Sequence, residues 1–98
     1  MAKKYIFITG AASGIGLATA HRFAQEGWFI CAADQNREGL EQLHSKLTAK
    51  VCSIYELDVT NKDQFDSVIQ AVNTRTDGRL DIMFNNAGIG STGFFEDI

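Results

Sequence analysis

The fold of this chain is constrained most strongly by a glycine-rich segment near its N-terminus, Thr9-Gly10-Ala11-Ala12-Ser13-Gly14-Ile15-Gly16. The segment follows an apolar run, Tyr5–Ile8, and precedes a helical pattern that runs from Leu17 to Glu26. Glycine lacks a Cβ atom, so its backbone can turn sharply and bring N–H groups close to an anion. The first N–H groups of the following helix, and the positive end of its dipole, point to the same place. The segment therefore predicts a strand-to-helix turn that holds phosphate groups, and this is favoured over an ordinary tight turn.

Four apolar, strand-like runs alternate with three helical patterns along the chain. The runs are mostly continuous, which is typical of parallel strands covered by helices on both faces. With right-handed crossovers, this order predicts an α/β fold, a Rossmann-type doubly wound parallel sheet with strand order 3-2-1-4. The first two helices then cover one face and the third covers the other. The predicted strands are Tyr5–Ile8, Trp28–Ala33, Val51–Leu57 and Leu80–Phe84.

Capping residues mark the ends of the predicted helices. Asn36 is the predicted N-cap of the second helix, and Thr60 is the predicted N-cap of the third, with Asp63 three residues later. Gly78 fits the C-terminal stop of the third helix. Ser13 precedes the first helix, where it is predicted to cap the helix, to donate its hydroxyl to a phosphate, or to do both.

The composition excludes several classes of function. The 98 residues suffice for one domain, and a net charge of −3 without basic patches argues against nucleic-acid binding. No apolar stretch approaches the ~20 residues that span a bilayer, and the N-terminus is too short for a signal peptide, so we expect a cytoplasmic protein. Cys31 and Cys52 lie in apolar runs and are expected to be buried thiols, and no metal site is predicted.

Ligands of a doubly wound sheet bind where the winding reverses, outside the carboxyl ends of strands 1 and 4. The glycine segment follows strand 1, and Asn85-Asn86-Ala87-Gly88 follows strand 4. The amides of this second segment can tie neighbouring strand ends together, and Ala87 and Gly88 leave space for a flat ring or a sugar. An ordinary Asn-Gly-type turn would not need both asparagines, so we expect the two segments to flank one binding crevice.

Acidic residues follow the second and third strands. Asp34 lies 18 residues beyond Gly16 and can accept hydrogen bonds from the ribose hydroxyls of an adenosine. It would repel a 2′-phosphate and so favours NAD over NADP, although Arg37 is close enough to blur that choice. Asp58 could hydrogen-bond the exocyclic amine of an adenine, with apolar contact from Val59. A strand end that simply leads into the Thr60 cap explains Asp58 equally well.

Taken together, the glycine segment, Asp34, Leu57-Asp58-Val59 and Asn85–Gly88 resemble the N-terminal half of a short-chain dehydrogenase/reductase. The resemblance covers nearly the whole chain, which is treated as one partial dinucleotide-binding domain, residues 1–98. It implies NAD as the cofactor, a small alcohol or ketone as the substrate of the parent enzyme, and a homo-oligomer. It further implies that the pyrophosphate is held by Gly10, Ser13, Gly14, Ile15 and Gly16, the adenine ribose by Asp34, the adenine by Asp58 and Val59, and the ribose toward the nicotinamide by Asn85 with Ala87.

The catalytic residues of that family do not appear in this sequence. Its hydride chemistry depends on a Tyr-x-x-x-Lys pair, in which the tyrosine exchanges a proton and the lysine lowers its pKa. Tyr5 is followed four residues later by Thr9, and Tyr55 by Val59. We therefore assign no catalytic residue and expect the 98-residue chain alone to be inactive.

The exposed edge of strand 4 indicates that the chain is truncated or that it dimerises through this strand. Two alternatives remain open. One is a non-catalytic NAD-binding module. The other is an S-adenosylmethionine-binding domain, against which the Asn85–Gly88 segment argues.

Overall fold

The computed structural model describes residues 3–86, in which strands and helices alternate as the sequence predicts. Every predicted element is present, with ends that shift by a few residues. The first helix begins at Gly14, inside the glycine segment, rather than after it. The elements are β1 (Tyr5–Thr9), α1 (Gly14–Gln25), β2 (Phe29–Asp34), α2 (Arg37–Leu47), β3 (Cys52–Glu56), α3 (Lys62–Arg75) and β4 (Leu80–Asn85).

The strands form one parallel sheet in the order β3-β2-β1-β4, which confirms the predicted Rossmann-type topology. Thr9 at the end of β1 is in register with Ala33 of β2 on one side and with Asn85 of β4 on the other. Asp34 of β2 is in register with Glu56 of β3. The carboxyl ends of all four strands therefore lie along one edge of the sheet, where the sequence places the candidate site.

The sheet is packed on both faces, as predicted. On one face Ile6, Ile8 and Ile30 form a core with Leu40 and Leu43 of α2 and with α1. The opposite face is covered by α3, and its core consists of Phe7, Phe29, Cys31, Ala33, Leu57, Phe65, Val68 and Val72. Successive strand residues alternate between the two cores because side chains of a strand point to opposite faces.

Cys31 and Cys52 are both buried free thiols, which confirms the prediction. They contribute to different cores, on opposite faces of the sheet. Burial raises the pKa of Cys31, and it raises the pKa of Cys52 to about 12. Both side chains therefore act as small apolar groups in the described structure.

The predicted N-cap of α3 is wrong by one residue. Asn61, not Thr60, occupies the N-cap, and its side-chain oxygen accepts a hydrogen bond from the N–H of Gln64 at 3.0 Å. Thr60 instead donates its backbone N–H and its hydroxyl to Oδ1 of Asp58, at 2.9 and 2.6 Å. The Asp58 carboxylate thus engages Thr60 in a local turn and leaves the cap to Asn61.

The other two helix signals are confirmed. Asn36 caps α2 by accepting a hydrogen bond from the N–H of Gly39 at 3.0 Å. The residue directly after the C-cap Thr76 is Asp77, which is left-handed with a φ of 57°, and Gly78 follows it with a φ of 72°. Asp77 donates its N–H to the carbonyl of Thr74 at 3.3 Å, and Gly78 donates its N–H to the carbonyl of Asn73 at 2.9 Å. The two residues together end α3 and satisfy its last carbonyls.

Two kinds of feature are absent from residues 3–86. No helix there combines the length and the apolar character that a membrane crossing requires. Nor do histidine, cysteine, aspartate and glutamate side chains of that part come together in a group that could hold a metal ion.

Candidate functional site

The glycine turn adopts backbone conformations that other residues rarely take. Gly10 has a φ of 67° and Gly14 a φ of 57°, both in the left-handed region. The N–H of Ala11 donates to the carbonyl of Ala33 at 3.1 Å, which ties the turn to the end of β2. These two glycines allow the chain to leave β1, reverse over the edge of the sheet and enter α1 within a few residues.

Gly16 is required for a different reason, which is the close approach of α1 to the turn. A Cβ atom at this position would lie 2.0 Å from the carbonyl oxygen of Gly10 and 2.9 Å from Nδ2 of Asn86. No side chain fits at such distances. The first turn of α1 therefore lies directly against the backbone of Gly10, at the carboxyl end of β1.

The N-terminus of α1 is open toward the site. Ser13 occupies the N-cap with an extended backbone, but its side chain makes no capping hydrogen bond, so the structure does not show the capping alternative for this hydroxyl. No acidic side chain lies in the first turn of α1, whose N–H groups and dipole attract an anion. Ile15 is 65% exposed, and it is the large apolar side chain within residues 3–86 that stands out to solvent. The helix thus presents a hydroxyl, polar N–H groups and an apolar contact surface together.

Asp34 is fixed in position by two backbone donors. Its Oδ2 accepts from the N–H of Ala12 in the glycine turn at 3.0 Å, and its Oδ1 accepts from the N–H of Asn36 at 2.9 Å. A carboxylate has about four lone-pair positions, so these bonds leave acceptor capacity for a ligand. The carboxylate therefore joins the turn, β2 and the start of α2, and its orientation is set before any ligand arrives.

A cleft of about 110 Å³ lies beside Asp34 at the carboxyl ends of the first three strands. Val59 contributes to its wall. Asp58 is not among the lining residues. Its Oδ1 accepts hydrogen bonds from the N–H and the hydroxyl of Thr60, and these bonds lower the pKa of the carboxyl. In the structure the Asp58 carboxylate therefore stabilises the turn that precedes α3. The lining residues are Gly10, Ala33, Asp34, Gln35, Leu57 and Val59.

The two asparagines after β4 connect the site from the other side. The hydroxyl of Thr9 donates to Oδ1 of Asn85 at 3.2 Å, and Nδ2 of Asn86 donates to the carbonyl of Gly10 at 3.3 Å. Side-chain amides thus tie the ends of β1 and β4 together, as predicted. Ala87 and Gly88, which were predicted to leave space for a sugar or ring, lie outside the described residues.

Sequence reasoning included Asn86 in the segment that ties the strand ends together but gave it no individual role in the site. Its amide holds the carbonyl of Gly10, which is the same atom that forbids a side chain at Gly16. The sequence signal for it is the asparagine pair itself, since a simple turn would need only one of the two. Asn86 is therefore a positioning residue for the glycine turn.

A model of the short chain dehydrogenase family matches residues 4–98. The chain belongs to this family. The match includes the glycine turn, Asp34 and the two asparagines, so the features that form the described site are also within the matched range.

Several members of the family are similar to this chain in sequence. It is 46% identical over 89 residues to a 3-oxoacyl-(acyl-carrier-protein) reductase of Thermotoga maritima, covering 88% of this chain and 35% of that protein. It is 46% identical over 86 residues to tropinone reductase-like 2 of Erythroxylum coca, covering 88% of this chain and 30% of that protein. It is 40% identical over 87 residues to a sulfoacetaldehyde reductase of Chromohalobacter salexigens, covering 86% of this chain and 33% of that protein.

Solved structures show the same fold. A short chain dehydrogenase from Bacillus anthracis matches with a TM-score of 0.77 and 32% identity, covering 85% of this chain and 34% of that one. The chain also matches a 3-ketoacyl-(acyl-carrier-protein) reductase from Brucella melitensis, which was solved in complex with NADH. The TM-score is 0.76 and the identity 28%, covering 82% of this chain and 32% of that one. This chain spans about a third of the length of these relatives.

Family membership fixes the general class of the site. Short chain dehydrogenases are oxidoreductases that bind a nicotinamide dinucleotide, and the described site has the parts such a ligand needs. It has a helix N-terminus without acidic side chains in its first turn, a carboxylate at the end of β2, and a cleft of apolar and backbone groups beside that carboxylate. Family membership also argues against the alternative of an S-adenosylmethionine-binding domain.

Proposed function

We propose that this chain is the cofactor-binding part of an NAD-dependent short chain dehydrogenase that transfers hydride between the nicotinamide and an alcohol or ketone. The observation that carries the choice of NAD is the Asp34 carboxylate, which Ala12 and Asn36 hold at the end of β2. A carboxylate fixed there accepts hydrogen bonds from ribose hydroxyls and repels a phosphate in the same place.

The pyrophosphate would lie at the N-terminus of α1. Backbone N–H groups around Gly14, Ile15 and Gly16 and the hydroxyl of Ser13 supply donors there, and Gly10 and Gly14 allow the backbone close approach. The uncapped state of the Ser13 hydroxyl supports this role, because the helix does not use it. The exposed side chain of Ile15 would cover an apolar part of the ligand.

The adenosine half would lie over the cleft beside Asp34. Val59 supplies an apolar wall, and Asp58 reaches the adenine amine only if its carboxylate binds a ligand in addition to Thr60. Asn85 and Ala87 remain our proposed contacts to the ribose toward the nicotinamide. Asn85 already bonds to Thr9, so it would act from a fixed position.

The position of Arg37 near Asp34 in the sequence would allow it to bind the 2′-phosphate of NADP, but its contacts in the structure do not favour this. Its guanidinium lies 3.1 Å from a carboxylate oxygen of Glu41 and 3.6 Å from one of Glu56. Exposed ion pairs of this kind are individually weak, but they direct the side chain toward carboxylates. The charges beside Asp34 thus favour a cofactor without a 2′-phosphate.

The chemical step needs groups that this sequence does not supply. Tyr5 and Tyr55 lie within β1 and β3, and neither has a lysine four residues later. A bound nicotinamide would supply the hydride acceptor or donor, while this chain binds and orients the cofactor. We further propose a cytoplasmic location and a homo-oligomer, with β4, one of the two edge strands of the described sheet, as a contact edge.

Titration of the chain with NADH, NADPH and S-adenosylmethionine tests the proposal. We expect NADH to bind at least about tenfold more tightly than NADPH, a difference of ~1.4 kcal/mol, and S-adenosylmethionine not to bind. Tighter binding of NADPH would show that the interpretation of Asp34 is wrong. In a turnover assay with simple alcohols and ketones the 98-residue chain should be inactive, and any rate above background would refute the assignment of no catalytic residue.

A further inference from the structure

Arg37 begins α2 and is held by two carboxylates from different elements. Its Nε lies 3.1 Å from Oε2 of Glu41, one helical turn later, and its Nη1 lies 3.6 Å from Oε1 of Glu56 at the end of β3. The three side chains are each more than half exposed. They could therefore rearrange freely in solvent, yet the guanidinium bridges the helix and the strand.

This cluster lies beside the adenosine end of the proposed site. Glu56 is the register partner of Asp34, and neighbouring strands lie about 4.8 Å apart. Arg37 follows Asp34 by three residues, with Asn36 between them donating its N–H to the same Asp34 carboxylate. A guanidinium that contacts Glu56 is thus close to the ribose hydroxyls from which Asp34 would accept hydrogen bonds.

A free arginine at this place would oppose the selection made by Asp34. A guanidinium binds phosphate oxygens in pairs, and a phosphate monoester carries about −1.5 to −2 charges at neutral pH. Such a side chain would attract the 2′-phosphate that Asp34 repels. The preference for NAD would then be reduced unless other groups occupied the guanidinium.

We propose that Glu41 and Glu56 reinforce the cofactor specificity set by Asp34, by occupying Arg37 and withholding it from a 2′-phosphate. The proposal rests on the proposed function, because it assumes that the adenosine of a nicotinamide dinucleotide lies at Asp34. Asp34, Arg37, Glu41 and Glu56 together carry a net negative charge. Without the charges of Glu41 and Glu56, the same place would hold one carboxylate and one unoccupied guanidinium.

The chain offers a matched control on α3. Lys62 and Asp66 form an exposed pair with the same helical spacing, at 2.9 Å, also near the N-terminus of a helix at the carboxyl edge of the sheet. Asp66→Asn removes a carboxylate from the same edge without touching Arg37. A general effect of net charge would appear in this variant as well, whereas release of Arg37 would not.

The test uses two fragments that differ only in the phosphate of interest, adenosine 5′-monophosphate and adenosine 2′,5′-bisphosphate, together with NADH and NADPH. Affinities are measured by calorimetric titration of the chain and its variants, with circular dichroism as the check on folding. For the double variant Glu41→Gln/Glu56→Gln we expect the bisphosphate and NADPH to bind about threefold to tenfold more tightly, since two weak exposed pairs are removed. The monophosphate and NADH should change by less than about twofold.

Two further variants assign the gain to Arg37. Adding Arg37→Gln to the double variant should remove the gain, and Asp66→Asn should not produce one. Arg37→Gln in the otherwise unchanged chain should leave bisphosphate affinity within about twofold, because the guanidinium is already occupied. The last variant alters one exposed side chain and keeps the proposal testable if the double variant does not fold.

Three results would overturn the inference. The first is an unchanged affinity for the bisphosphate in the double variant, and the second is an equal gain in that affinity in Asp66→Asn. The third is a large loss of bisphosphate affinity in Arg37→Gln alone, which would mean that Arg37 already reaches the phosphate. Failure of the proposed function has a different signature. In that case the unmodified chain would bind NADPH more tightly than NADH, or would bind none of the four ligands.

Discussion

Replacing Gly16 with alanine places one methyl group at the closest contact in the site. The added Cβ would lie 2.0 Å from the carbonyl oxygen of Gly10, 2.7 Å from its carbonyl carbon and 2.9 Å from Nδ2 of Asn86. The first two contacts are to backbone, so no rotation of a side chain can relieve them. Either the glycine turn must move away from α1, or α1 must move off the end of β1.

The cost of that movement can be worked out from its parts. Overpacking of this kind typically costs about 1–3 kcal/mol. The hydrogen bond from Asn86 to the displaced carbonyl contributes about 1 kcal/mol, and the greater helix propensity of alanine returns a similar amount. We therefore expect Gly16→Ala to lower the free energy of unfolding by about 1–3 kcal/mol and to weaken NADH binding by at least about tenfold.

Gly27→Ala is the matched control. Gly27 has a φ of 90° with open space around its Cβ position, and it follows α1 at the end remote from the site. Backbone strain alone should cost about 1–2 kcal/mol there and leave NADH affinity unchanged. Urea denaturation and calorimetric titration give both quantities for each variant. A Gly16→Ala chain that is as stable as the parent and binds NADH equally well would refute the packing argument.

Three further predictions concern local structure. Asn61→Ala should lower the free energy of unfolding, measured by urea denaturation, by about 1 kcal/mol because the N-cap of α3 is lost. Thr60→Ala should have a smaller effect, and the reverse order would contradict the assignment of the cap to Asn61. Hydrogen bonds from Thr60 lower the pKa of Asp58 in the folded chain below its ordinary value of 3.8. The contribution of Asp58 to stability is therefore present above that pH and is lost as the pH falls through the folded pKa. Urea denaturation at several pH values should therefore show Asp58→Asn and the parent converging in acid, and a constant difference would refute this. Finally, burial raises the pKa of Cys31 and raises that of Cys52 to about 12, so a thiol reagent should label both residues in urea and neither in the folded chain.

The fold could be predicted from the sequence because each local signal agreed with the others. Continuous apolar runs such as Tyr5–Ile8 indicated covered parallel strands, and the stripe of Leu40 and Leu43 gave α2 a buried face. The glycine segment then marked the crossover, so few topologies remained. The observed order β3-β2-β1-β4 follows from those constraints.

The details that sequence reasoning missed depend on competition between polar groups. Thr60 and Asn61 are both good N-cap residues, and the choice between them was decided by Asp58, whose carboxylate binds the hydroxyl of Thr60. The bonds from Ala12 to Asp34 and from Asn86 to Gly10 join residues that are remote in sequence. Periodicity and spacing predict where such groups lie along the sheet edge, but not which donor meets which acceptor.

The central claim is that the fixed carboxylate of Asp34 selects NAD. The most direct test measures the dissociation constants of NADPH and NADH, and compares their ratio in the parent chain with that in Asp34→Asn. The variant keeps one acceptor for the neighbouring N–H groups while removing the charge, and Glu26→Gln at the far end of α1 is the control. We predict a ratio of at least about ten in the parent and in Glu26→Gln, falling to about three or less in Asp34→Asn. An unchanged ratio in Asp34→Asn, or a ratio below one in the parent, would contradict the account.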